Sequence, residues 1–81
     1  MKQRKKPLGD KNIIGAKVTK IRKLNRMTQN ELAGHMQLLG VDINLTSLSK
    51  LEGQTRIATD REVYAIAQIF NIKVDDLFKD F

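Results

Sequence analysis

Two copies of one short signal, Thr-x-x-Glu, divide this chain. Thr28, Gln29, Asn30 and Glu31 form the first, and Thr59, Asp60, Arg61 and Glu62 the second. In each, the threonine hydroxyl can accept from the backbone N–H three residues on, while the glutamate reaches back to the N–H of the threonine. Two donors that a helix start would leave unpaired are thereby satisfied together. Apolar residues at helical spacing follow each signal: Leu32, Met36 and Leu39 after the first, Val63, Ile66, Ala67 and Phe70 after the second. No stretch alternates with period two, so strands are not expected.

The rest of the chain reads in the same terms. Ile14, Val18 and Ile21 line one face of a first helix over residues 12–26, with Asn12 as its N-cap and Lys17, Lys20 and Lys23 off that face. Gly40 can take a left-handed conformation and end the second helix. Residues 41–44 form a short connection, and Asn44 can cap a third helix over 45–53. Leu45, Leu48 and Leu51 make its inner stripe, while Thr46 and Lys50 point the other way with Ser49 and Gly53 beside them. After a loop, the fourth helix stops at Asn71. Ile72 and Val74 lead into a final turn with Asp75 and Asp76 near its positive end, and Leu77 and Phe78 pin it to the core. The expectation is an all-α bundle of five short helices, two of which meet through a tight turn in a helix-turn-helix.

Composition narrows the partners. The 81 residues hold no cysteine, which excludes disulfides and thiolate metal sites. Lys and Arg number 15 against 9 Asp and Glu, a net charge of +6. That balance favours a polyanion, nucleic acid or anionic membrane, although plain solubility also produces it. No segment has the length and apolarity of a membrane span, and no apolar stretch of signal-peptide type follows the basic start. A cytoplasmic location is the expectation. Residues 1–11 carry Lys2, Arg4, Lys5, Lys6 and Lys11 and the only proline, Pro7, and read as a basic N-terminal arm. Residues 12–81 form the single domain.

From Ile14 to Phe78 the chain resembles the Cro/C1-type helix-turn-helix family, also called the XRE family. The likeness is carried by Ile14, Gly15, Val18, Ile21 and Arg22; by Met27, Thr28, Gln29, Glu31, Leu32 and Ala33; by Leu48, Ser49, Lys50, Leu51, Glu52 and Gly53; and by Val74, Asp75, Asp76, Leu77 and Phe78. The segment between Ala33 and Glu52 is longer than in the common form, with the extra length in residues 37–44. The resemblance implies a compact five-helix lambda-repressor-like DNA-binding domain. It also implies an ion pair between Arg22 and Glu52, structural in role, and a contact of Gln29 with DNA. Its function would be sequence-specific transcriptional regulation, repressor-like in style.

On that reading double-stranded DNA is the partner and the major groove is where it is read. Phosphate contacts set affinity and register, and base-edge contacts set sequence choice. Thr28 and Gln29, at a helix N-terminus whose N–H groups attract anions, are backbone candidates, as are Gln54 and Arg56 in the loop after the third helix. A solvated loop would account for Gln54 and Arg56 as well. Asn44, Leu45, Thr46, Ser47, Ser49 and Lys50 are the base-contact candidates. Lys50 suits guanine, Asn44 adenine, and the Thr46 methyl a thymine methyl. Leu45 has two readings, core by its phase and groove by its place in the resemblance. The arm either follows the duplex or serves solubility.

One module makes few base contacts, so a homodimer on a two-fold site is expected, with half-sites about 34 Å apart. Its surface would lie around Tyr64, Ile72 or Phe81. No cofactor, metal, small-molecule substrate or membrane is expected. His35 stands alone, and the adjacent Asp75 and Asp76 diverge on a helix, so no catalytic set emerges. The competing function is a protein-interaction module, antitoxin-like or adaptor, that keeps the fold without specific DNA binding.

Overall fold

The computed structural model describes residues 11–79. Four α-helices follow one another, α1 (Gly15–Leu24), α2 (Gln29–Leu38), α3 (Leu45–Glu52) and α4 (Asp60–Ile69), and a 3-10 turn (Val74–Phe78) closes the chain. The architecture among the described residues is all-helical, with a single 3-10 turn in the place expected for a fifth helix. Of the basic arm, residues 1–10 lie outside the described residues, as does Phe81.

Both capping boxes form. Thr28 Oγ1 accepts from the Glu31 N–H at 3.1 Å, and Glu31 Oε1 accepts from the Thr28 N–H at 2.8 Å. Thr59 and Glu62 repeat the exchange at 3.2 and 2.9 Å. The Asn44 side chain caps α3 by accepting from the Ser47 N–H at 2.8 Å. Asn12 serves α1 differently from expectation. The N-cap position is Ile14, and Asn12 Oδ1 instead accepts the first helical N–H, that of Gly15, at 2.8 Å. Its Nδ2 donates to the carbonyls of Leu51 and Arg56 at 3.0 and 2.8 Å. Asn12 therefore ties the start of α1 to the end of α3.

The helix ends use left-handed residues of several kinds. Gly40 has φ +85°, as its place after α2 requires. Arg26, Gln54 and Asn71 adopt φ values of 54°, 62° and 54°, so side-chain-bearing residues end the other three helices. The turn between α2 and α3 is fastened from both sides. Ile43 is buried in the core, and Gln37 Nε2 donates to the Ile43 carbonyl at 2.7 Å.

The core is formed by Ile14 and Val18 of α1, Leu32, Ala33 and Met36 of α2, Ile43, Leu48 and Leu51 from the α3 segment, Ala65, Ile66 and Ala67 of α4, and Leu77. Ile21, Val63, Phe70 and Ile72 are half-buried against it. α2 packs against both α3 and α4, α1 packs against α3, and the closing turn rests on α1 and α4.

Two residues expected inside, Leu39 and Phe78, are outside, and Leu45, which had two readings, is also exposed. Leu39 is the C-cap of α2, past the last residue in helical phase, and is half-exposed. Leu45 opens α3 where nothing covers that end of the stripe, and is 43% exposed. Phe78 is equally exposed, so Leu77 alone anchors the closing turn.

Candidate nucleic-acid interface

α3 is amphipathic in the sense its sequence implies. Leu48 and Leu51 are fully buried, while Thr46, Ser49 and Lys50 are exposed. Among the described residues, no carboxylate pairs with Lys50. Leu45 stands with Thr46 at the leading end of the same surface. Ser47 is half-buried, and its carbonyl accepts Arg56 Nε at 2.9 Å. Asn44 is exposed, but its Oδ1 is engaged as the cap of α3. Paired contact with adenine needs both the oxygen and the nitrogen of the amide, so it would compete with that cap.

The orientation of α3 is set at its last residue. Arg22 Nε donates to Glu52 Oε2 at 2.8 Å and Arg22 Nη2 to Glu52 Oε1 at 2.9 Å. Arg22 Nη1 donates to the Met27 carbonyl at 2.9 Å, which also ties down the turn after α1. Thr19 Oγ1 and Gln29 Nε2 donate to the same Glu52 Oε1 at 3.1 and 3.0 Å. Burial alone would raise the Glu52 pKa. The hydrogen bonds from Arg22, Gln29 and Thr19 outweigh it and hold the carboxyl below its ordinary value. One buried carboxylate thus gathers α1, α2 and α3.

Gln29 therefore spends one amide N–H on Glu52. Its half-buried side chain keeps its second N–H and its oxygen for other partners. The N–H groups of Gln29 and Asn30 point out of the first turn of α2. At that end the Glu31 carboxylate already draws on the positive pole. Its pKa is lowered first by the Thr28 N–H and then by the Thr28 hydroxyl. Thr28 is consequently engaged in the cap through both its N–H and its hydroxyl, so a phosphate contact would compete with the cap.

The loop after α3 departs most from expectation. Arg56 Nη1 and Nη2 donate to Glu62 Oε1 and Oε2 at 2.8 and 2.7 Å. Its Nε reaches the Ser47 carbonyl, and Nη1 also donates to the Ile57 carbonyl at 2.8 Å. Of the five N–H donors of a guanidinium, four are in use, so Arg56 clamps α3 to α4 and keeps one N–H for a further partner. Burial would raise the Glu62 pKa, but the bonds from Arg56 and the Thr59 N–H bring it below the ordinary value. Gln54 Nε2 donates to the Asn12 carbonyl at 3.2 Å, so it too is turned to the protein.

Sequence reasoning passed over two cations. Lys23 and Arg26, at the end of α1, are exposed, and with Thr28, Gln29, Asn30 and Leu45 they border an open hollow of about 560 Å³. Their side chains make no ion pair among the described residues. The signal was available, since both close the first helix next to the capping box. The hollow brings the start of α2 and the start of α3 onto one surface. Among the described residues no histidine, aspartate or glutamate cluster is arranged to hold a metal ion, and no helix is long and apolar enough to cross a membrane.

No family model, curated protein or solved structure matches this chain.

Proposed function

We propose that the chain is a sequence-specific double-stranded DNA-binding regulator that lays the exposed face of α3 in the major groove. One observation carries the reading. Thr46, Ser49 and Lys50 stand free on one side of a helix whose other side, Leu48 and Leu51, is sealed into the core. A helix with small polar residues and one unpaired lysine on its outer face suits a groove about 12 Å wide without steric conflict. Lys50 can donate to guanine O6 and N7, and Leu45 and the Thr46 methyl offer apolar contact to thymine. Lys23, Arg26 and the first turn of α2 flank this face with positive charge, which suits the phosphates on either side of the groove. The net charge of +6 adds the long-range attraction. The resemblance to Cro/C1-type helix-turn-helix proteins points the same way.

Binding to random duplex DNA as salt is raised tests the reading. Log affinity should fall with log salt at a slope of about −0.9 per phosphate neutralised. Absence of binding at low salt would reject it and favour a protein-interaction module. Lys50→Ala should relax base preference at one position, by roughly 1–3 kcal/mol, in sequences selected from a random pool. A uniform loss across all sequences would show that Lys50 touches phosphate instead.

A further inference from the structure

One large apolar side chain interrupts the polar outer face of α3. Leu45 is 43% exposed, whereas Leu48 and Leu51 are sealed in the core. Leu45 borders the hollow at the start of α2, with Arg26 and Thr28, so it stands on the face proposed above for the major groove. Thr46 follows it, is also exposed, and adds a second methyl group. An uncovered leucine forgoes the free energy that burial would return. The apolar group that base pairs offer in the major groove is the methyl at pyrimidine C5.

Thymine and cytosine differ in that groove at two places. At C4 thymine carries an oxygen that accepts and cytosine an amino group that donates; at C5 thymine alone carries a methyl. A free carboxylate would select the amino group, but α3 has none to offer. Glu52 is its single acidic residue, and both its oxygens are taken, Oε2 by Arg22 and Oε1 by Arg22, Thr19 and Gln29. Asn44 Oδ1, just ahead of the helix, is held by the Ser47 N–H. The hydroxyls of Thr46 and Ser49 donate or accept, so they suit either base at C4. The pyrimidine signal that this end of α3 is built to take up is therefore the C5 methyl. Cytosine methylated at C5 carries the same group in the same place as thymine.

We infer that Leu45 and Thr46 read the C5 methyl of a pyrimidine, so that methylation of a cytosine at that position strengthens binding. The inference rests on the major-groove reading and adds to it a response to covalent methylation of the DNA. The probe is a duplex that the full chain selects from a random pool. Two comparisons change the methyl alone: deoxyuridine for thymidine removes it, and 5-methyldeoxycytidine for deoxycytidine adds it. Both are made at each pyrimidine in turn and read by fluorescence anisotropy at fixed salt. At one position removal should weaken binding about fourfold, and addition should strengthen it by a like factor, the worth of one buried methyl. Leu45→Ala should erase most of both differences there. Leu45 lies outside the core, so the helical circular dichroism of that variant should match the parent. Thr46→Ser deletes only a methyl group and should erase part of what Leu45→Ala leaves. Binding indifferent to both exchanges at every position would overturn the inference while leaving the groove reading in place. So would methyl differences unchanged in both variants. Failure to bind any duplex at low salt would overturn the groove reading and this inference together.

Discussion

Replacing Gly15 by alanine adds one methyl group where α1 starts against the end of α3. A Cβ there would stand 2.3 Å from the Leu51 carbonyl oxygen and 2.8 Å from that of Glu52. Both are backbone atoms, so no side-chain rotation relieves the clash. The helices must separate by roughly 1 Å to reach ordinary contact distance. Overpacking of this kind costs about 1–3 kcal/mol. The shift also pulls Asn12 away from the Leu51 and Arg56 carbonyls, at about 1 kcal/mol net for each bond lost. The better helix propensity of alanine returns at most about 1 kcal/mol. The net expectation is a loss of about 3 kcal/mol, or about 12–24 °C in Tm for a domain of this size, at ~4–8 °C per kcal/mol. Thermal and guanidinium unfolding followed by circular dichroism measure it. Gly34→Ala is the internal control. No atom lies within 4 Å of the Cβ it would add, so it should stabilise by about 1 kcal/mol through propensity alone. If Gly15→Ala proves as stable as the parent, the close approach of α1 to α3 is refuted.

Three further changes probe the carboxylate clamps. Glu52 and Glu62 both bind a proton less readily when folded than when unfolded. The stability they contribute is therefore complete above about pH 4.3 and is lost as pH falls through their lower native values. Glu52→Gln and Glu62→Gln should each flatten the acid limb of the stability–pH curve, and an unchanged limb would exclude those carboxylates as its source. Arg56→Ala should cost about 3 kcal/mol, because it leaves the buried Glu62 without its cation. It should leave the salt slope of DNA binding unchanged, whereas a shallower slope would return Arg56 to the phosphate contacts.

The helix starts were legible because their signals are local. Thr28 and Thr59 lie three residues from Glu31 and Glu62, and a capping box needs nothing beyond that spacing. Gly40 and Asn71 were legible for the same reason, since each sits where apolar periodicity stops. The two carboxylate clamps were only partly legible. Arg22 and Glu52 were paired through the family resemblance, but Thr19 and Gln29 join them only once three helices converge. Glu62 was read as half of a capping box, and its second role for Arg56 carries no periodic signature. An arginine just ahead of a box whose glutamate borders the core was the one available hint. Leu39 and Phe78 were misplaced for a single reason. Helical phase tells which way a side chain points, not whether another element extends far enough to cover it.

The candidate base-contact residues were legible as a face and less so as individuals. Thr46, Ser49 and Lys50 follow from the burial of Leu48 and Leu51 on the opposite side. Ser47 lies at the border of that face, next to the loop, and the cap formed by Asn44 engages the amide oxygen that adenine pairing would need. Arg56 and Gln54 looked available because loops usually face solvent. Here the loop is folded back by Glu62, Asn12 and the Ser47 carbonyl.

The double fastening of α3 has a mechanical consequence. Arg22 holds its final residue from one side, and Arg56 holds a carbonyl near its beginning from the other. A rod pinned at two points resists swivelling, so on the proposed function a duplex that received it would do the adjusting. Operators containing easily kinked pyrimidine–purine steps would then be favoured at positions no side chain reaches.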